Sequence, residues 1–351
     1  MAGPEELQAQ LSAYLPELLG GAGAVSLPVR LSGGASRETW GFDVELDGQP
    51  LSLILRRDPP GLRRDDSRRS REVEMRLLQV ARDAGVPVPR MLGGESSADR
   101  LGAAFMIMER VEGETIPRKL LRDDAYAGAR TRMTGQCGAA LARVHSIPVS
   151  AVSFLGEPQS PLELIDEHTR LLDSVGEPHP TFELGLRWLR RNLPTSTRRG
   201  LVHGDFRTGN LIVSPQGLRA VIDWELAHLG DPMEDLGWFC TGAWRFGVKD
   251  RPAGGFGSRE ELYDAYERAG GAPVDRDAAR FWEVYGTLRW GVLCLMQAAR
   301  HLRGEVQSIE LAAIGRRACE QEYDLLELIA DDMSVWSGQS SAAGLRSVTG
   351  G

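Results

Sequence analysis

The 351 residues predict an α+β chain of two lobes, the first rich in β-strand and the second mainly helical. Up to residue 111 apolar residues largely alternate with polar ones, as in half-buried strands, whereas after residue 120 they recur at helical spacing. The length, at roughly 150 residues per domain, leaves room for about two such bodies. The boundaries expected are 1–111 for the N-terminal lobe, 112–336 for the C-terminal lobe and 337–351 for a disordered, Gly/Ser-rich tail.

Residues 5–19 predict a helix, with Leu7, Leu11, Tyr14, Leu15 and Leu18 on one stripe. Two strands flank the small-residue turn Ser32-Gly33-Gly34-Ala35-Ser36, and Phe42, Val44 and Leu46 share one face of the second. Asp47-Gly48 is a hairpin signal, and Leu51, Leu53 and Leu55 continue the alternation in a third strand. Residues 67–84 read as a helix through Val73, Leu77, Val80 and Ala81, closed by Gly85 and by the prolines at 87 and 89. Two further strands follow, the second being the apolar run 103–111, broken by Glu112-Gly113-Glu114. Helices are then expected at 124–145, 161–174 and 181–192, short strands over 199–223, and helices at 231–246, 259–269, 277–302 and 308–330.

Composition narrows the partners. Lys plus Arg is 41 and Asp plus Glu is 49, a net charge of −8, so the chain lacks the overall basic balance that phosphate-backbone binding needs. Glu5 and Glu6 stand where an export peptide carries positive charge, and the apolar stretch 290–296 is far shorter than the ~20 residues of a membrane helix. The expectations are a cytoplasmic monomer or homodimer that binds neither nucleic acid nor membrane. Cys137, Cys240, Cys294 and Cys319 form no C-x-x-C pair and read as free thiols. Lysine occurs only at 119 and 249, so any cation that grips phosphate in the first hundred residues is an arginine, and the Gly-Lys-Ser/Thr P-loop is absent.

The segments LVHGDFRTGNLIV, 201–213, and AVIDWELAHLGDPMEDLGW, 220–238, carry the chemistry. His203, Asp205 and Asn210 stand in an H-x-D-x-x-x-x-N arrangement, and Asp223 ends the strand 220–222. Phosphoryl transfer requires a carboxylate for the acceptor hydroxyl, oxygen ligands for Mg²⁺ and a cation on the transferring group. Asp205 suits the first role, Asn210 and Asp223 the second, and Arg207 the third. His203 reads as a support that holds the loop by a hydrogen bond. A lone loop aspartate is ordinarily a turn or a helix cap, and that is the reading kept for Asp231 and Asp235.

These words resemble the aminoglycoside phosphotransferase-like family of small-molecule kinases, relatives of the protein kinases. The nearest branch is the one fused to acyl-CoA dehydrogenases in animals and proposed to phosphorylate 4-hydroxyacyl-CoA. LRRDPPG (55–61) and AGVPVPRML (84–92) add to a likeness that runs over about 28–330. The resemblance implies a bilobal protein-kinase-like fold and a small-molecule kinase that uses ATP and Mg²⁺, with Asp205 catalytic and Asn210 and Asp223 on the metal. It places the phosphate anchor, lysine in many relatives, on Arg56, with Arg57 as competitor. The anchor's helix partner falls on Glu74, with Glu72 as the fallback. The turn with Ser32, Gly33, Gly34 and Ser36 would close over the phosphates, and backbone groups at Met108, Glu109 and Arg110 would meet the base. The family often has Asn where this chain has Arg37. The acceptor pocket is expected among the helices near 150–195 and the C-terminal helices, where Arg289, Arg300 and Arg303 suit an anionic acceptor such as a CoA thioester. An antibiotic-inactivating kinase and a nucleotide-binding scaffold without turnover are the alternatives.

Overall fold

The computed structural model describes residues 3–31, 37–59, 71–195 and 198–330. The chain opens with α1 (Pro4–Leu19), followed by β1 (Val29–Arg30), β2 (Glu38–Leu46) and β3 (Gln49–Arg57). Helix α2 (Arg71–Asp83), β4 (Met91–Glu95) and β5 (Phe105–Glu109) complete an antiparallel sheet of order β1-β2-β3-β5-β4. The turn expected at 32–36 lies outside the described residues.

The two-residue period of a strand assigns this sheet two different faces. Trp40, Phe42 and Val44 of β2, Leu53 and Leu55 of β3, and Phe105 and Ile107 of β5 form one buried cluster with Leu7, Leu11, Tyr14 and Leu15 of α1. Burying each such side chain contributes about 1.5–3 kcal/mol. Arg56 alternates away from that cluster, with Thr39 and Met106 as its cross-strand partners. Arg57, one residue on, falls on the α1 side beside its cross-strand partner Glu38, to which it is ion-paired at 2.6 Å.

Helices α3 (Pro117–Arg122) and α4 (Ala127–His145) come next, then α5 (Pro161–Val175) and α6 (Pro180–Arg191). Two small antiparallel ladders follow. Strand β6 (Gly200–Val202) pairs with β9 (His228–Gly230), and β7 (Leu211–Ser214) pairs with β8 (Gly217–Val221). Helix α7 (Met233–Cys240) occupies only part of the expected 231–246, because Thr241 adopts extended backbone at φ −58, ψ 138 before a short turn at Gly242–Arg245. Helix α8 (Arg259–Arg268) starts on a capping box between Ser258 and Glu261. After α9 (Arg276–Leu302), the expected 308–330 is divided into α10 (Ile309–Gly315) and α11 (Ala318–Ile329).

A β-sheet N-terminal region followed by a mainly helical part is the α+β order the sequence predicts. By packing, the chain divides into one unit of Met1–Ser160 with Thr195–Trp282 and a second of Pro161–Pro194 with Glu283–Gly351. Every expected catalytic, nucleotide-binding or metal-binding residue that is described lies in the first unit, whereas Arg289, Arg300 and Arg303 lie in the second. In the second, α6 packs on α11 and α5 on α6.

Candidate active site

The loop after β6 is fixed mainly by its own backbone. The N–H groups of His203 and Gly204 both donate to the fully buried Asp235 carboxylate, at 2.7 and 3.0 Å. Asp235 also meets His145 Nε2 at 3.1 Å, and His145 Nδ1 meets the Tyr266 hydroxyl at 3.0 Å. Burial works to raise the Asp235 carboxyl, but His145 and the loop N–H groups outweigh it and hold it below the usual carboxylate range. Gly204 has φ 77, and a Cβ there would stand 2.4 Å from the Leu226 carbonyl oxygen, so no other residue fits. Asp235 is therefore an anchor of this loop, not the isolated helix cap expected. Asp231 makes the expected turn just ahead of α7, accepting the Met233 N–H at 3.0 Å, and also accepts the Trp282 indole N–H at 3.1 Å.

Asp205 emerges from this loop with both oxygens engaged. Oδ1 accepts the Trp238 indole N–H at 3.0 Å and Arg207 Nε at 3.1 Å, while Oδ2 accepts Asn210 Nδ2 at 2.7 Å. His203 accepts the Asp205 backbone N–H at 3.2 Å through Nδ1, the supporting contact expected. Its buried ring packs on Trp224 at 4.7 Å, and burial lowers its pKa. The Arg207 guanidinium lies 4.9 Å over the Trp244 ring, which in turn contacts Trp238 at 5.0 Å. Trp238 is a contact the sequence reading missed; its signal was an indole in the first helix after the I-D-W segment.

Strand pairing brings Asn210 and Asp223 to the same end of the β7–β8 ladder. Leu211 faces Val221, and the Ile222 N–H donates to the Asn210 carbonyl at 3.0 Å. Asp223 then turns into left-handed backbone, φ 69 and ψ 62, an unfavourable conformation costing about 1–2 kcal/mol. That turn presents its Oδ1 to Arg56 Nη2 at 2.9 Å. Burial tends to raise the Asp223 carboxyl, and Arg56, with Arg37 and Arg207, overrides this and holds it low. Asn210 Nδ2 is committed to Asp205, which leaves the amide oxygen as its ligand atom. An ionised carboxylate and an amide oxygen are hard donors that fit Mg²⁺.

Arg56 Nη1 also donates to Glu74 Oε1 at 3.0 Å, so Arg56 bridges helix α2 and the Asp223 turn. Of the competing residues, Arg57 is turned to Glu38 and to the Leu101 carbonyl, and Glu72 is exposed on α2. Glu74 is shared further: its Oε2 accepts Arg71 Nη1 at 3.0 Å and Arg37 Nη1. Arg37 also pairs with Glu225 at 2.9 Å, and Asp58 is paired with Arg71. Strand alternation held the missing signal, because positions 37, 56 and 58 fall on the same side of the sheet end.

Two of the backbone donors expected to meet a base are already engaged. The Glu109 N–H donates to the Arg90 carbonyl and the Arg110 N–H to the Ser52 carbonyl, both at 2.9 Å. Those two donors are used within the sheet edge and are closed to a base. Met108 faces Ile54 and Met91 across the strands, on the Arg56 side of the sheet. Ser32, Gly33, Gly34 and Ser36 lie outside the described residues.

The family model described as "Phosphotransferase enzyme family" matches residues 29–282. Mouse acyl-CoA dehydrogenase family member 10 is 31% identical over 198 residues, 54% of this chain and 18% of that protein. Rat acyl-CoA dehydrogenase family member 11 is 28% identical over 241 residues, 66% of this chain and 30% of that protein. The chain thus spans less than a third of the length of these curated relatives. Among solved structures, a Ralstonia eutropha protein assigned as an aminoglycoside phosphotransferase superposes with a TM-score of 0.73 at 24% identity, covering 92% of this chain and 98% of that one. Macrolide 2'-phosphotransferase MphH of Brachybacterium faecium gives a TM-score of 0.58 at 21% identity, over 89% and 98% of the two chains. The GDP complex of aminoglycoside 2'-phosphotransferase-IIIa gives 0.58 at 16%, over 93% and 99%. At these identities the likeness is one of fold, and it is the kinase-like fold the sequence predicts.

Proposed function

Because the chain belongs to the phosphotransferase enzyme family, we propose that it transfers the γ-phosphoryl group of ATP, in the presence of Mg²⁺, to a hydroxyl group of a small molecule. One observation carries this reading: a continuous hydrogen-bonded path joins the four groups the reaction needs. Asp205 meets Asn210 at 2.7 Å, the Asn210 carbonyl meets the Ile222 N–H at 3.0 Å, and the next residue, Asp223, meets Arg56 at 2.9 Å.

Asp205 receives and orients the acceptor hydroxyl. Transition states for phosphoryl transfer are loose, so orientation and charge placement outweigh proton removal. Asn210 and Asp223 hold the metal through the amide oxygen and the carboxylate. When bound, Mg²⁺ neutralises charge on the phosphates. Arg56 grips phosphate oxygens, a role its planar fork can fill in place of lysine. Arg207, anchored on Asp205 and stacked on Trp244, keeps a side chain that is 26% exposed to meet the transferring group.

The acceptor proposed first is a hydroxyacyl thioester of coenzyme A, supported by the acyl-CoA dehydrogenase names of the curated relatives. The macrolide and aminoglycoside phosphotransferases among the structural neighbours support an antibiotic as the second reading. A screen for ADP release against hydroxyacyl-CoAs, aminoglycosides, macrolides and sugars separates them. Release that needs both Mg²⁺ and one acceptor class is expected. ATP binding with no acceptor-dependent release in any arm would leave a nucleotide-binding scaffold instead.

A further inference from the structure

Arg37 occupies the centre of the site's ion cluster. It stands one residue before β2, its side chain is 1% exposed, and three carboxylates surround it. Nη1 meets Glu74, Nη2 meets Glu225 at 2.9 Å, and Nε lies 3.5 Å from Asp58. These partners belong to three separate segments: helix α2, the turn that begins at Asp223, and the end of β3.

Among the described residues the cluster holds three arginines, Arg37, Arg56 and Arg71, against Asp58, Glu74, Asp223 and Glu225. Its two links from the sheet to the 223–225 turn are unlike each other. The Arg56–Asp223 link joins the phosphate anchor to a metal ligand. A metal on Asp223 would compete for the Oδ1 that Arg56 holds, and phosphates would compete for Arg56. The Arg37–Glu225 link involves neither of those ligands. Arg37 and Arg71 both pair with Glu74 independently of Arg56.

We propose that Arg37 is a positioning residue for the magnesium nucleotide, keeping Glu74 and the 223–225 turn in register while Arg56 exchanges Asp223 for phosphate. This rests on the kinase reading above. It adds a role for Arg37 and Glu225 as one unit, with Glu225 placing the metal-binding turn through a charge pair rather than by touching the metal.

The test is calorimetric titration of the full chain with ATP at several Mg²⁺ concentrations, alongside thermal melting. Arg37→Met is expected to weaken MgATP binding about tenfold and to raise the Mg²⁺ concentration giving half-maximal binding. Glu225→Gln, on a side chain 21% exposed, is expected to do the same with little change in melting. The double variant is expected to be no weaker than Arg37→Met alone, and Arg37→Lys to recover part of the affinity. Unchanged MgATP binding in Glu225→Gln, or losses that multiply in the double variant, overturns the proposal, and Glu225→Gln reads it even where Arg37→Met fails to fold. Wild-type protein that binds no MgATP overturns the kinase reading itself, an outcome distinct from wild-type binding that the variants leave intact.

Discussion

Asp205 and Asp223 belong to the same candidate site, each touches an arginine, and only Asp205 has neutral donors beside it. Asp205 sits on a loop pinned by backbone N–H groups to a buried carboxylate, and a neutral indole and an amide join Arg207 as its donors. Asp223 sits in a strained turn whose side chain is held by Arg56, itself shared with Glu74. Neutral directional bonds to a packed framework fix an orientation, whereas ion pairs within a cluster can trade one partner of like charge for another. That difference matches the proposed tasks: one carboxylate aims an alcohol, and the other gives up an arginine for a metal.

The contrast is tested most strongly at the loop. Asp205→Ala is expected to lower kcat by ~10²–10⁴-fold on a confirmed acceptor while MgATP still binds. Turnover within tenfold of wild type would remove Asp205 from the chemistry. Asp235→Ala leaves two buried N–H groups and His145 without their carboxylate, and is expected to cost about 3 kcal/mol in chemical denaturation. Because the folded Asp235 carboxyl is held below its ordinary value of about 3.9, its contribution is present above that pH. It is lost as pH falls through the lower folded value. Asp235→Asn is expected to flatten that acid limb of stability; an unaltered acid-unfolding curve would contradict the assignment.

The neighbours Arg56 and Arg57 carry the same contrast on the sheet. Arg57→Leu strands Glu38 in the α1 core and is expected to cost about 2 kcal/mol of stability with MgATP affinity kept. Arg56→Met is expected to do the reverse, weakening nucleotide binding with a smaller stability loss. Equal effects of the two on binding would mean that strand alternation does not separate anchor from core. The smallest change is expected from Trp238→Phe, which removes one neutral donor from Asp205: about 1 kcal/mol, or a few-fold to tenfold in kcat, read with the acceptor KM unchanged.

The sequence was most readable where one short-range rule decides the outcome. Period-two alternation puts Leu53 and Leu55 in the core, and the Asp223 and Asn210 pairing follows from two short strands that place their ends together. The short β6–β9 ladder carried too little pattern to be recognised as a pair. Thr241 ends α7 by backbone conformation, and Gly242 after it does not take the positive φ of the usual glycine stop. Asp235 and Arg37 were hardest to read, because their roles depend on partners 32 residues away at His203 and 37 residues away at Glu74. Charge alone did not distinguish them from a solvated surface.

In the proposed reaction, Asp223 exchanges Arg56 for a magnesium nucleotide. Calorimetric titration of ATP into wild-type protein and into Asp223→Ala, each with and without Mg²⁺, tests this most directly. Tight binding by wild type only when Mg²⁺ is present, with that gain absent in Asp223→Ala, is the predicted result. ATP affinity that ignores Mg²⁺ in wild type, or a Mg²⁺ gain that survives in Asp223→Ala, would contradict it.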